Sequence, residues 1–196
     1  DGLELSRPVN AIELVEHQSV IGLSNIPDQP GIAADLFETL SKGDINVDLI
    51  IQSTHQGNNN DITFTISEQD LPKAKLLCER LINKLGGQLK TQSNMSKLSI
   101  RGAGIMGRPG IAAKFFETLS KSGINLRLIA TSEVKVSCVI NSDLGTKGLR
   151  YVSEAFNLRD KHIKINPKAH PLGEQEVKGV ALDPNQVQIS VNNVPD

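Results

Sequence analysis

The sequence predicts an α+β chain made of two tandem βαββαβ units, each an antiparallel four-stranded sheet with two helices on one face. Two observations predict this: an internal repeat, and the order of strand and helix patterns within each copy. From Pro30 to Ser53, 16 of 24 positions are identical to those 79 residues later, and the shared blocks include Pro30-Gly31-Ile32-Ala33-Ala34 against Pro109-Gly110-Ile111-Ala112-Ala113. A period near 80 marks tandem small domains, whereas solenoid repeats run to about 20–50 residues.

The elements of the first copy follow in order. Ser19 to Leu23 reads as a short strand, and Pro27 to Pro30 as a turn. Ile32, Ala33, Leu36, Phe37 and Leu40 form an apolar stripe at helical spacing, ended by Lys42-Gly43. Val47 to Ser53 is an aliphatic strand, Gln56 to Asn60 a turn, and Asp61 to Ile66 alternates as a half-buried strand does. Leu71, Ala74, Leu77, Cys78, Leu81, Ile82 and Leu85 make the second helical stripe, which Gly86-Gly87 stops, and Gln88 to Ser93 supplies a last strand. The second copy repeats the order over 97–102, 111–121, 126–131, 135–141, 149–156 and 163–166. Units this small bury little core. They are expected to pack together, either by joining sheets edge to edge or by covering each other's helices.

A third copy begins near the end. Val177 to Asp196 matches Val9 to Asp28 at 7 of 20 positions. With the missing initiator Met, this leads to the expectation of a piece of a longer chain whose pair of units is itself duplicated. The boundaries read from the sequence are 1–17 for an entry segment, 18–93 and 94–166 for two units, and 167–196 for a linker with the first strands of a third.

Composition narrows the function. A net charge of −1 argues against nucleic acid as the main partner, and six aromatic residues without Trp leave no base-stacking platform. No apolar run approaches the ~20 residues of a membrane span, and no signal peptide is visible. Cys78 and Cys138 sit inside apolar patterns and read as buried free thiols, which points to a reducing, cytoplasmic setting.

The chemical motifs are few. Gly102-Ala103-Gly104-Ile105-Met106-Gly107 matches a dinucleotide fingerprint. The first copy has Leu23, Asn25 and Asp28 at the three glycine places, and the helical crossover a nucleotide unit needs is missing, so an enzyme using this stretch ranks third among the readings. His17, His55, His162 and His170 have no metal-ligand spacing, and no nucleophile–base set recurs in both copies. No catalytic residue, metal or cofactor is expected in this segment.

The loop before each first helix is different. Pro30-Gly31 and Pro109-Gly110 place bare backbone N–H groups at a helix start, which attracts carboxylates, and glycine lets a ligand come close. Asp28 and Asp48 are candidate acceptors for an ammonium. Such a site fits a zwitterion, a free amino acid. Alternatively, Pro-Gly simply starts the helix.

The strand, Pro-Asp-x-Pro-Gly-x-Ala-Ala, helix, Ile-Asn-x-Asp pattern resembles the ferredoxin-like ACT domain, an amino-acid-sensing module. The stretches 46–52, 61–65, 102–106 and 124–126, and above all Ile129-Ala130-Thr131-Ser132-Glu133-Val134-Lys135-Val136-Ser137, are similar to the paired ACT region of aspartate kinases. The beginning of a third unit resembles the forms, cyanobacterial among others, that carry four ACT units. The resemblance implies a regulatory region that binds lysine and threonine and feeds back on a kinase domain using ATP and Mg, within a homodimer formed through ACT units. It implies effector positions at Asp28, Gly31, Ile32, Ala33, Asp48 and Gln52 in the first copy. In the second they are Gly110, Ile111, Ala112, Asn125, Leu126, Ser132 and Glu133. Two departures stand out: Ala112 where many relatives carry Thr, and His55 where some carry Ser. The family also borrows the strand before the first unit to complete the second, which would give Ala11 to Val15 a place in the second sheet. A free-standing ACT-repeat protein regulating another partner is the alternative.

Overall fold

The computed structural model describes residues 8–55, 59–105 and 107–167. The expected linker and third unit, apart from residue 167, and residues 56–58 of the expected Asn-rich turn lie outside them. The elements run β1 (Ala11–Pro27), α1 (Ile32–Lys42), β2 (Val47–His55), β3 (Asn59–Ser67), α2 (Leu71–Leu85), β4 (Gln88–Arg101), α3 (Ile111–Lys121), β5 (Leu128–Ser132), β6 (Lys135–Asn141), α4 (Gly145–Ala155) and β7 (Ile163–Asn166).

Among the described residues the strands form one sheet, ordered β2-β3-β1-β4-β6-β5, with β7 beside β1. The units are therefore joined neither by their edges nor by their helices; they share two long strands. The early half of β1, Ala11 to Val15, pairs with Lys97–Arg101 of β4, and Ile12–Val15 lies parallel to β7. The later half of β1 pairs with β3 and with Gln88–Gln92. The strands expected at 19–23 and 88–93 are thus halves of continuous strands of 17 and 14 residues. At the passage between units the register shifts between Val15 and Val20, with His17 at φ 54° and Asn94 at φ 56°. Such a bulge bends both strands without ending their pairing.

Each unit keeps its own core on the face its helices cover. Ile21, Leu23, Ile62, Phe64 and Ile66 pack under Leu36 and Leu40 of α1 and Ala74 and Cys78 of α2. Ile12, Leu14, Leu98, Ile100, Val136, Cys138 and Ile140 pack under Phe115 and Leu119 of α3 and Leu149 and Val152 of α4. Strand alternation sends the neighbours of these residues to the helix-free face. There Val20, Met95 and Val139 are buried with Leu49 of β2 and Leu128 of β5 against them. The two helix-free faces therefore meet through a small apolar cluster.

Other expected bounds differ: β2 runs on to His55 and β3 already begins at Asn59. The fifth strand begins at Leu128, and α4 begins at Gly145, four residues before the apolar stripe that predicted it. Added Cβ atoms at Gly145 and Gly148 would come within 3.4 Å of Leu14 and 3.2 Å of Leu98, so these glycines let the helix lie close on β1 and β4.

Candidate functional site

The two repeats build the same helix start. Gly31 and Gly110 hold the position before α1 and α3 with φ of 98° and 93°, a left-handed conformation that glycine takes without a Cβ penalty. No described side chain caps either helix; the Ile32 N–H of α1 makes only a long bond, 3.4 Å, to the Gln29 carbonyl. Ile32 is buried in the first core, while Gly31 and Gly110 are exposed and Ala33, Ile111 and Ala112 half-buried. The helices also repeat their surface pairs. Lys42 and Lys121 donate to Glu38 and Glu117, holding both carboxyls below their usual range.

Strand direction decides which candidate residues gather at these starts. β2 runs antiparallel to β3, with His55 opposite Asn59 and Val47 opposite Ile66. The end of β1 at Pro27, and hence the turn into α1, lies opposite Asn59. Gln52 is therefore toward the α1 start with Asp28, Gly31, Ile32 and Ala33, whereas Asp48 is about 13 Å further along β2. In the second unit Ser132 pairs with Lys135, which faces Arg101 at the end of β4. This brings Ser132 and Glu133 to the same end as the loop that leads to Gly110, Ile111 and Ala112. Asn125 and Leu126 follow the other end of α3, where the Asn125 carboxamide accepts from the Leu126 N–H at 3.0 Å.

Asp48 is not placed as the alternation of β2 suggests. Val47 packs on the first core and Leu49 on the inter-unit cluster, because the pairing of β2 is irregular between Val47 and Ile50. The Asp48 carboxylate accepts from Lys97 of β4. Lys97 is 2% exposed and Asp48 38%. The cation that Asp48 needs is thus supplied within the chain, and removing this carboxylate carries a structural cost that the sequence did not suggest. Lys97 was missed because a lysine on the polar side of a strand normally reads as solvated.

Asn60 was also missed, having been read as part of a turn. It lies on the helix-facing row with Ile62, Phe64 and Ile66, and its Nδ2 donates to Asp28 Oδ1 at 2.6 Å. Asn25 braces the same end, its N–H donating to Asp61 at 2.8 Å and its Oδ1 accepting from Asn59 at 2.6 Å.

The glycine-rich stretch has a packing role. A Cβ on Gly102 would sit 2.0 Å from the Pro8 carbonyl oxygen, and one on Gly104 2.6 Å from Pro8 Cα. The chain entering β1 crosses directly over these glycines. The two cysteines are free and buried, and burial pushes the Cys78 thiol up to about 11 and that of Cys138 to about 12. No described helix is long and apolar enough to cross a membrane.

Paired βαββαβ units with duplicated, uncapped glycine helix starts define a class, and the comparisons agree with it. The ACT domain family matches residues 19–80 and 98–156, and the chain belongs to that family. Its relatives narrow the class to the regulatory region of aspartate kinase. The regulatory subunit of aspartate kinase from Thermus thermophilus, solved in a ligand-free form, is 35% identical with a TM-score of 0.71, over 76% of this chain and 99% of that one. Aspartate kinase from Synechocystis is 38% identical with a TM-score of 0.77, over 81% of this chain and 29% of that one. An aspartokinase of Thermus thermophilus is 35% identical over 158 residues, 80% of this chain and 39% of the relative. The chain thus spans about two fifths of that curated relative's length.

Proposed function

We propose that this chain is the effector-binding part of an aspartate kinase, taking up the end-product amino acids lysine and threonine and lowering the phosphorylation of aspartate by ATP through allostery. The observation that supports this most is the duplicated helix start: left-handed Gly31 and Gly110 before helices that no described side chain caps. An effector carboxylate satisfies those N–H groups. The proposed contacts are Asp28, Gly31, Ile32, Ala33 and Gln52 at the first start, and Gly110, Ile111, Ala112, Ser132 and Glu133 at the second. Asn125 and Leu126 lie too far along their unit to join the same start, and we assign them to the neighbouring half of a dimer-spanning site; Asp48 is engaged by Lys97 and takes no ligand contact in this reading.

That dimer is part of the proposal. β2 and β5 end the described strand order, and Ile50 and Ile129 on them are 51% and 44% exposed. Unpaired edges carrying apolar side chains favour pairing with a second copy. The remaining partner is the kinase domain, to which ATP and Mg belong; the segment itself does no chemistry in this reading. The two free thiols accord with a cytoplasmic setting.

Calorimetric titration of the chain with lysine, threonine and their mixture tests the function. Saturable heat with at least one is expected, together with a raised melting temperature, since a ligand that binds only the folded state must stabilise it. No heat and no shift at millimolar concentrations would end the proposal.

A further inference from the structure

The repeat closes one gap between the units and leaves its counterpart open. Asp48 reaches from β2 to Lys97 on the helix-free face of the second unit. The repeat puts Arg127 at the place of Asp48. Val20 holds on the first unit the place of Lys97 on the second. Val20 faces Thr65, two residues before the end of β3, as Lys97 faces Val139, two residues before the end of β6. Charge meets charge at one place, whereas at the other an arginine shares a cavity with a valine.

That cavity, of about 720 Å³, lies between the helix-free face of the first unit and Arg127-Leu128 of the second. Leu128 packs beside Val20, and the Arg127 N–H donates to the Val139 carbonyl at 2.8 Å, which fixes the backbone that carries the guanidinium. The floor is Gly22, which faces Thr63 on one side and Lys90 on the other. No left-handed backbone requires this glycine, and an added Cβ would meet nothing nearer than Thr63 Oγ1 at 3.5 Å. A mid-strand glycine without a conformational reason marks a close approach to the main chain.

Lys90 and Arg127 both line the cavity, and neither makes an ion pair among the described residues. Among the described lining residues the one carboxylate, Asp61, already accepts from the Asn25 N–H at 2.8 Å. Ser24, Thr63 and Gln92 add hydroxyl and carboxamide donors. A guanidinium fork, an ammonium and neutral donors around one space suit a tetrahedral oxyanion, whose oxygens accept from several directions. The volume is that of a small-molecule site and leaves room for more than a bare ion.

We propose that the cavity over Gly22 binds a phosphate group, free or carried on a small molecule, between the Arg127 guanidinium and the Lys90 ammonium. The site lies on the face of the sheet opposite α1 and α2 and does not depend on amino acids binding at the helix starts.

The test is calorimetric titration of the full chain with inorganic phosphate, glycerol 3-phosphate and acetate, repeated on Arg127→Gln, Lys90→Gln, Gly22→Val and Lys73→Gln. One phosphate bound per chain is expected, with acetate at least about tenfold weaker. A hydrogen bond to a charged group is worth about tenfold or more in affinity, so Arg127→Gln and Lys90→Gln should each weaken phosphate at least about tenfold. Gly22→Val fills the floor and should abolish binding. Lys73→Gln, on the exposed side of α2, should change it less than about twofold. Arg127 and Lys90 are exposed, so their variants carry the test if Gly22→Val does not fold. Tighter binding of glycerol 3-phosphate would support the proposal with a phosphomonoester as ligand, and equal binding would support it with phosphate alone. No heat with either phosphate, acetate bound as tightly, or both cation variants within twofold of the wild type would overturn it. Phosphate binding by a chain that takes neither lysine nor threonine would leave it standing and end only the proposed function.

Discussion

Replacing Asp48 by asparagine keeps the shape of the side chain and removes the counter-ion of Lys97. That lysine is 2% exposed, and the strand bearing it is locked between β1 and β6. An ammonium left buried without its carboxylate typically costs about 3–5 kcal/mol. Asp48 is 38% exposed, so water reaches one side of the pair and screens it. The expected loss is therefore nearer 2–3 kcal/mol. Lys97→Met makes the complementary change. It fills the same stem volume with apolar atoms opposite Val139 and leaves Asp48 to solvent, so it should lie within about 1 kcal/mol of wild type. The double variant should recover most of what Asp48→Asn loses, giving a coupling energy of about 2 kcal/mol. Urea denaturation of the four proteins at pH 7 measures all three quantities. Repetition at 1 M salt should lower the coupling in part, because Lys97 is buried while Asp48 meets solvent. Asp48→Asn within 0.5 kcal/mol of wild type, or Lys97→Met as damaging as Asp48→Asn, would refute the assignment of an inter-unit ion pair that holds a buried lysine.

Other consequences concern single residues and the assembly. Gly102→Ala should lose about 3 kcal/mol in the same denaturation, since its Cβ would meet the Pro8 backbone at 2.0 Å. Gly31→Ala meets nothing within 4 Å and should lose only the about 1–2 kcal/mol of a left-handed alanine, so equal losses would contradict the packing role of Gly102. Folded chain should resist a thiol reagent at pH 8 and react at two sites once unfolded, because both thiols are buried and hard to ionise. The raised thiol values also set a direction with pH. Unfolded thiols ionise from about 9 upward while the folded ones hold their protons to about 11 and 12, so their contribution to stability is complete below pH 9 and declines as pH rises beyond it. Light scattering at tens of micromolar should give twice the 21.2 kDa chain mass, and Ile50→Lys with Ile129→Lys should return it to one chain.

The elements written most locally were the most legible. Helices α1 and α3 were bounded by Pro-Gly before and a basic residue after, and β6 and β7 were placed by repeating the order of the first unit. The fusion of short strands into β1 and β4 was not legible, because it depends on partners far along the chain and on left-handed turns at His17 and Asn94 rather than at glycine. The first turn of α4 was hidden by Gly145 and Gly148, whose low helix propensity is overridden by close packing on Leu14 and Leu98. At the candidate site the same division holds. The Pro-Gly starts could be read, since their conformation is local. Asn60 and Lys97 could not, since what makes them unusual is burial by another element, and the bulge in β2 that turns Asp48 toward Lys97 leaves no mark in the residue pattern.

The most direct test of the account is calorimetry of the 196-residue chain with lysine, threonine and both, read beside the same titration of Gly31→Val. A Cβ with two methyls at a left-handed position distorts the start of α1 and crowds the carboxylate site while leaving both cores untouched. The account predicts saturable binding to the wild type, lost by at least tenfold in a variant that still unfolds cooperatively. Equal binding by both proteins would contradict it.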